Sequence, residues 1–167
     1  MARLGGRIEI FLQPGELYVA QAGYQIRTIL GSCVSITLWH PASRIGGMSH
    51  FLLPTRGGPA NPRELDGRYG DEALQKILVE MRSLGVTPSQ CQAKIFGGGN
   101  MFPDHMHAGV INVGQRNGEA ARQLLQEHGI GVTSESLFGL GHRQIIFDVS
   151  QGDVWAKQVR PSRAQLT

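Results

Sequence analysis

Two side chains in this sequence are suited to covalent chemistry when placed together, the thiol of Cys33 and the imidazole of His50. Both lie in the stretch Leu30 to Pro54, LGSCVSITLWHPASRIGGMSHFLLP, where two strand-like runs flank His40-Pro41-Ala42-Ser43. Pro41 suits position i+1 of a turn because its ring presets φ. A loop of two or four residues centred on Pro41–Ala42 pairs positions whose numbers sum to 83, so Leu38 faces Ile45, Ile36 faces Gly47 and Cys33 faces His50. Directly opposed residues hold their Cβ atoms about 4.5–5.5 Å apart, within reach of a thiol–imidazole hydrogen bond or ion pair. A three-residue loop, or a bulge at Gly46-Gly47, would shift that register by one.

The alternation agrees with this pairing. Val34, Ile36 and Leu38 form an apolar stripe, while Cys33, Ser35 and Thr37 point the other way. A cysteine nucleophile needs a base that lowers its pKa and then protonates the leaving group, and an opposed histidine supplies one. Ser32 and Cys33 follow Gly31 at a sharp strand start, so backbone N–H groups there can face an oxyanion. The competing reading is plain packing, since a lone strand cysteine is most often a small buried hydrophobe and a lone histidine a packed or surface residue.

Other constellations carry less. Gly97-Gly98-Gly99-Asn100 follows a strand but lacks GxGxxG and GK(S/T), and no helix opens directly behind it, which argues against a nucleotide site. It reads either as a wall of a substrate cleft, with Gly98 admitting close approach and Asn100 bonding a carboxamide, or as an ordinary glycine turn. His105 and His107 share a strand face without a third ligand at motif spacing, so no metal site is expected. Cys91 sits in a polar turn and is taken as structural or incidental.

The elements that must position these groups are mostly strands. Alternating or β-branched runs cover Arg7–Gln13, Glu16–Ala20, Gln25–Leu30, Cys33–Trp39 and Arg44–Leu53, and later Ala93–Phe96, His107–Asn112, Ile130–Ser134, Arg143–Asp148 and Val154–Val159. The Gly- and Pro-rich segment Pro54–Tyr69 reads as a functional or mobile surface loop. A helix capped by Asp71 carries Ala73, Leu74, Ile77, Leu78, Met81 and Leu84 on one face, and a second, capped by Asn117, carries Ala120, Ala121, Leu124 and Leu125. With 167 residues, 41% hydrophobic and 17% charged, the chain reads as one globular domain over 1–167, its tail from 160 to 167 frayed. A net charge of +3 is too small and scattered for a nucleic-acid surface. No apolar run is long enough to span a membrane and no leader opens the chain, so a cytoplasmic protein without membrane insertion is expected. Two cysteines without CxxC exclude a disulfide framework.

The motifs GSCV, IGGMSH and LLP resemble the chemoreceptor glutamine deamidase family, CheD. Lys94 to Phe102 (KIFGGGNMF) is similar to the family's KIFGGANMF, Gly114-Gln115-Arg116-Asn117 to its IG(E)RN, and Gln144–Asp148 to its (K)VIFD strand. The resemblance runs over roughly residues 14 to 160. It implies a cysteine hydrolase that converts receptor glutamines to glutamates without metal or cofactor. It maps the catalytic Cys and His onto Cys33 and His50 and a third member onto Thr28; the residues themselves, not the resemblance, suggest Ser32, Gly98 and Asn100 toward the substrate. The implied fold is α+β, two mixed sheets packed as a sandwich with flanking helices in α/β/β/α layers, similar to toxin-type cysteine deamidases. The implied partners are cytoplasmic domains of methyl-accepting receptors and a CheC-type phosphatase. The alternative is a non-catalytic module that docks on that phosphatase or on receptors. Leu137–Arg143 and the insert Pro103–His107 depart from the family pattern.

Overall fold

Strand alternation, and the faces it creates, set the architecture. The computed structural model describes residues 2–4, 6–59, 61, 63–101 and 112–161. Its strands are β1 (Ala2–Leu4), β2 (Arg7–Phe11), β3 (Leu17–Ala20), β4 (Tyr24–Leu30), β5 (Val34–His40), β6 (Ile45–Ser49), β7 (Gln92–Gly97), β8 (Gly131–Leu137), β9 (His142–Asp148) and β10 (Val154–Val159). Helix α1 (Gly70–Ser83) links β6 to β7, and α2 (Val113–Glu127) precedes β8. One five-stranded sheet has the order β1-β2-β4-β9-β10 and the other β3-β6-β5-β7-β8. Each is mixed, with β2–β4 and β7–β8 parallel and the other neighbours antiparallel. The fold is the expected α+β pair of mixed sheets.

The sheets meet over Ile26, Leu30, Ile145 and Phe147 from the first and Met48 and Phe96 from the second. On the far side of β5, the stripe Val34, Ile36 and Leu38 packs with Leu74, Ile77 and Met81 of α1 and Ala121 and Leu125 of α2. Burying such side chains contributes about 1.5–3 kcal/mol each. Both helices follow strands of the second sheet and cover its outer face. On the first sheet Ile29 and Trp155 stay 49% and 53% exposed.

Three local expectations shift. In the β5–β6 hairpin Thr37 pairs with Met48 and His40 with Ile45, so the numbers sum to 85 rather than 83. Pro41–Arg44 form the whole turn, closed by the Arg44 N–H on the His40 carbonyl at 2.9 Å with Arg44 at φ 53°. The Val34–Phe51 bridge continues that register. A shift of two keeps every side chain on its face. It sets Ser35 opposite His50 and makes Cys33 the diagonal neighbour of His50 instead of its direct partner. Diagonal pairs in a ladder lie about 7–8 Å apart at Cα, somewhat less at Cβ.

The helix starts move as well. Tyr69 rather than Asp71 occupies the cap position of α1. Asn112 rather than Asn117 caps α2, its side chain accepting from the Gln115 N–H at 3.0 Å. Residues 107–111 of the expected strand His107–Asn112, the pair His105 and His107, and most of the 160–167 tail lie outside the described residues.

Candidate functional site

The site forms where the chain leaves the first sheet at the end of β4 and crosses through Gly31-Ser32-Cys33 to β5 of the second. Thr28 stands on the inward face of β4 between Ile26 and Leu30, and His50 follows β6. Both are 2% exposed. The Thr28 hydroxyl lies 2.8 Å from the Leu12 carbonyl and 2.7 Å from His50 Nδ1, so a single hydrogen-bond relay joins the two sheets.

That relay fixes the tautomer of the ring. A hydroxyl has one proton, and the Leu12 carbonyl can only accept it. Thr28 Oγ1 therefore donates to Leu12 and accepts the Nδ1–H of His50, which leaves Nε2 as the basic nitrogen. Burial lowers the His50 pKa from 6.5 to about 4, with the Glu16 carboxylate pulling weakly the other way. Burial also raises the pKa of the half-buried Cys33 thiol. Among the described residues no hydrogen bond joins that thiol to the ring. Desolvation disfavours the charged form of both groups, and so opposes the thiolate that an opposed histidine is expected to favour.

The loop that carries Cys33 is held by its carbonyls. Gly31 O accepts from the Gly99 N–H at 2.9 Å and Cys33 O from the Gly98 N–H at 2.9 Å. Between them, Ser32 O accepts from Asn117 Nδ2 at 3.1 Å, and the same amide donates to Leu52 O at 2.8 Å. No acceptor among the described residues takes the N–H of Ser32 or Cys33. Three consecutive carbonyls are thus spent on the scaffold while the two amides take no acceptor among the described residues.

The glycine run serves this clamp. A Cβ on Gly97, at φ 112°, would lie 2.2 Å from the Cys33 carbonyl, so only glycine lets the strands approach so closely. Gly98 spends its N–H on Cys33, and the Asn100 backbone pairs with Gly139 and Gly141. Behind them the buried Arg143 guanidinium donates to the carbonyls of Gly97 and Phe138 and to Ser136 Oγ. The departing segment Leu137–Arg143 therefore braces the loop that holds Cys33.

The segment Pro54–Tyr69 is organised around a buried carboxylate. Glu72, 1% exposed on the first turn of α1, accepts from Arg56 Nε and Nη2 at 2.5 Å and from the Asp66 N–H at 3.0 Å. Next to the Leu52–Asn117 contact opens a cavity of about 210 Å³ lined by Leu53, Pro54, Thr55, Val113 and Arg116. Among the described residues no group of three or more His, Cys, Asp or Glu is placed to hold a metal. No described helix is long and apolar enough to cross a membrane.

Asn117 is the residue that sequence reasoning assigned wrongly, to a cap. The signal was present: Asn117, Ala121 and Leu125 fall on one helical face, and an asparagine on a core stripe needs buried partners.

The family model for CheD chemotactic sensory transduction matches residues 52–158, a span that starts just after His50. A probable chemoreceptor glutamine deamidase CheD 2 of Albidiferax ferrireducens is 68% identical over 161 residues, covering 96% of this chain and 93% of that protein. A probable chemoreceptor glutamine deamidase CheD of Pseudomonas savastanoi pv. phaseolicola is 45% identical over 153 residues, 91% of this chain and 85% of its own length. Among solved structures, YlmD from Geobacillus stearothermophilus superposes with a TM-score of 0.47 at 14% identity, over 80% of this chain and 60% of that one.

Proposed function

The chain belongs to the CheD chemotactic sensory transduction family, and on that premise we propose that it is a cysteine-dependent protein-glutamine deamidase acting on chemoreceptors in the cytoplasm. The observation that carries the chemistry is the Leu12–Thr28–His50 relay, which leaves one imidazole nitrogen free on the face that Cys33 shares. A module that only docks has no use for a buried histidine with a defined tautomer.

The reaction starts from the neutral pair. His50 Nε2 takes the thiol proton as Cys33 Sγ attacks the γ-carboxamide carbon of a receptor glutamine. The Cys33 N–H, and with it the Ser32 N–H, donates to the tetrahedral oxyanion. The C–N bond breaks as the imidazolium returns its proton to departing ammonia, and a thioester remains. His50 then deprotonates water, which attacks the thioester, releases glutamate and restores the thiol. Thr28 accepts the Nδ1–H throughout and stabilises the imidazolium, the role a carboxylate plays in other triads. One carboxamide and one water give one carboxylate and one ammonium.

An open site on a loop between sheets suits a side chain presented by a folded partner better than free glutamine, because remote contacts then help to position the carboxamide. The same reading carries a CheC-type phosphatase as a second partner, to be sought by co-sedimentation. The primary test is mass spectrometry of a receptor cytoplasmic fragment before and after incubation. Amide-to-acid conversion at defined glutamines that is absent with Cys33→Ala is expected. Conversion that persists in Cys33→Ala, or equal ammonia release from free glutamine, would overturn the reading.

A further inference from the structure

We infer that Asn117 is a positioning residue that aims the oxyanion-binding amide of Cys33, an assignment that rests on the deamidase reading above. Asn117 lies on α2, wholly buried, far in chain from both Cys33 and His50. Its Nδ2 has two hydrogens and uses both, on Ser32 O at 3.1 Å and Leu52 O at 2.8 Å. The flipped amide would press its oxygen against those two carbonyl oxygens, so the orientation is unambiguous. Its Oδ1, by contrast, is buried without a partner among the described residues. An apolar side chain here would avoid the cost of that unpaired oxygen but take this donor from both Ser32 O and Leu52 O. The residue is therefore held for what its nitrogen does.

What the nitrogen does follows from peptide geometry. No peptide bond among the described residues is cis, so the Ser32 carbonyl and the Cys33 N–H point in opposite directions within one planar unit. Fixing that carbonyl on Asn117 turns the Cys33 N–H away from α2, and no described acceptor takes it. In chymotrypsin-type serine proteases the nucleophile's own amide is one of the two donors that meet the tetrahedral oxygen. The flanking carbonyls are pinned by Gly98 and Gly99 through their backbones, so Asn117 is the side chain that sets the rotation of this peptide. Its second bond reaches Leu52, two residues past His50, and ties the nucleophile loop to the segment that carries the base.

The test separates aiming from folding. Asn117→Ala removes both donors. With a receptor fragment as substrate, kcat falls about 10²-fold or more while KM stays within about threefold, the pattern of a lost transition-state donor. Alkylation of Cys33 by iodoacetamide forms no oxyanion, so its rate stays within about threefold of wild type. If Asn117→Ala does not fold by circular dichroism, Asn117→Leu, which keeps most of the volume, loses the donors and adds no buried oxygen, is read by the same criteria. Equal losses in kcat and alkylation would overturn the assignment, since Asn117 would then serve the thiol. So would an unimpaired kcat in the folded variant. A wild type that alkylates normally at Cys33 yet converts no receptor glutamine refutes the deamidase reading instead.

Discussion

The β5–β6 hairpin carries one histidine toward each end, and their surroundings give them opposite tautomers. At the turn, His40 Nε2 meets the Gln90 side-chain oxygen at 3.3 Å and Nδ1 meets Ser43 Oγ at 2.6 Å. The amide oxygen can only accept, so Nε2 carries the proton, Nδ1 accepts, and both nitrogens are occupied at the protein surface. At the open end, His50 is buried, its Nδ1–H is held by Thr28, and Nε2 is left basic. The two cysteines divide in the same way. Cys91 is 5% exposed with a thiol pushed up to about 11 by burial, its sulfur 4.0 Å from the Thr87 carbonyl. Cys33 is half-buried, on a loop whose Ser32 and Cys33 amides take no acceptor among the described residues. On the proposed reading, residue type does not confer reactivity; the surroundings of each thiol and ring do.

The sharpest way to break this contrast is to swap the ends. Cys33→Ala should abolish deamidation, and His50→Ala should cost at least about 10³-fold in kcat, because the pair acts as a unit. His40→Ala should leave kcat within about twofold, since its ring meets only Ser43 and Gln90. A His40 loss as deep as that of His50 would erase the distinction between the ends. Thr28 comes next. Thr28→Val keeps the shape but frees the tautomer, and should lower kcat about 10²-fold with little change in KM, while Thr28→Ser restores much of it. Equal damage from Val and Ser would assign the hydroxyl to packing alone.

The buried ring also leaves a mark on stability. Folded His50 stays neutral down to about pH 4, whereas unfolded it takes a proton near 6.5. The unfolded state binds more protons between those values, so this contribution is whole above pH 6.5 and lost as pH falls toward 4, by up to about 3 kcal/mol. In His50→Gln the fall of Tm over that interval should be shallower than in wild type. An unchanged slope would place the acid sensitivity on other groups. The smallest effect is expected from Cys91→Ser, a loss of about 1 kcal/mol in stability and none in turnover.

Sequence patterning made the two faces of β5, the apolar stripes of both helices and the shared face of Cys33 and His50 legible, because side-chain period survives any even register shift. The register itself was not, since a turn at Pro41 can centre on Pro41–Ala42 or on Ala42–Ser43, and only the αL geometry of Arg44 decides. Neither was the parallel pairing of β7 with β8, which depends on where α2 returns the chain. Asn112 and Asn117 look alike as caps, and only the burial of the second gives it another role. Thr28 had no local signal for its link to His50, which exists only because the sheets stack.

The central claim is a neutral His50 with its proton on Nδ1 and its base on Nε2. Long-range ¹⁵N–¹H correlation of histidine-labelled protein at neutral pH tests it directly, with His50→Gln assigning the signals. A protonated Nδ1 and a bare Nε2 that lose this pattern in Thr28→Val are predicted. An imidazolium, or a proton on Nε2 in the wild type, would contradict the account.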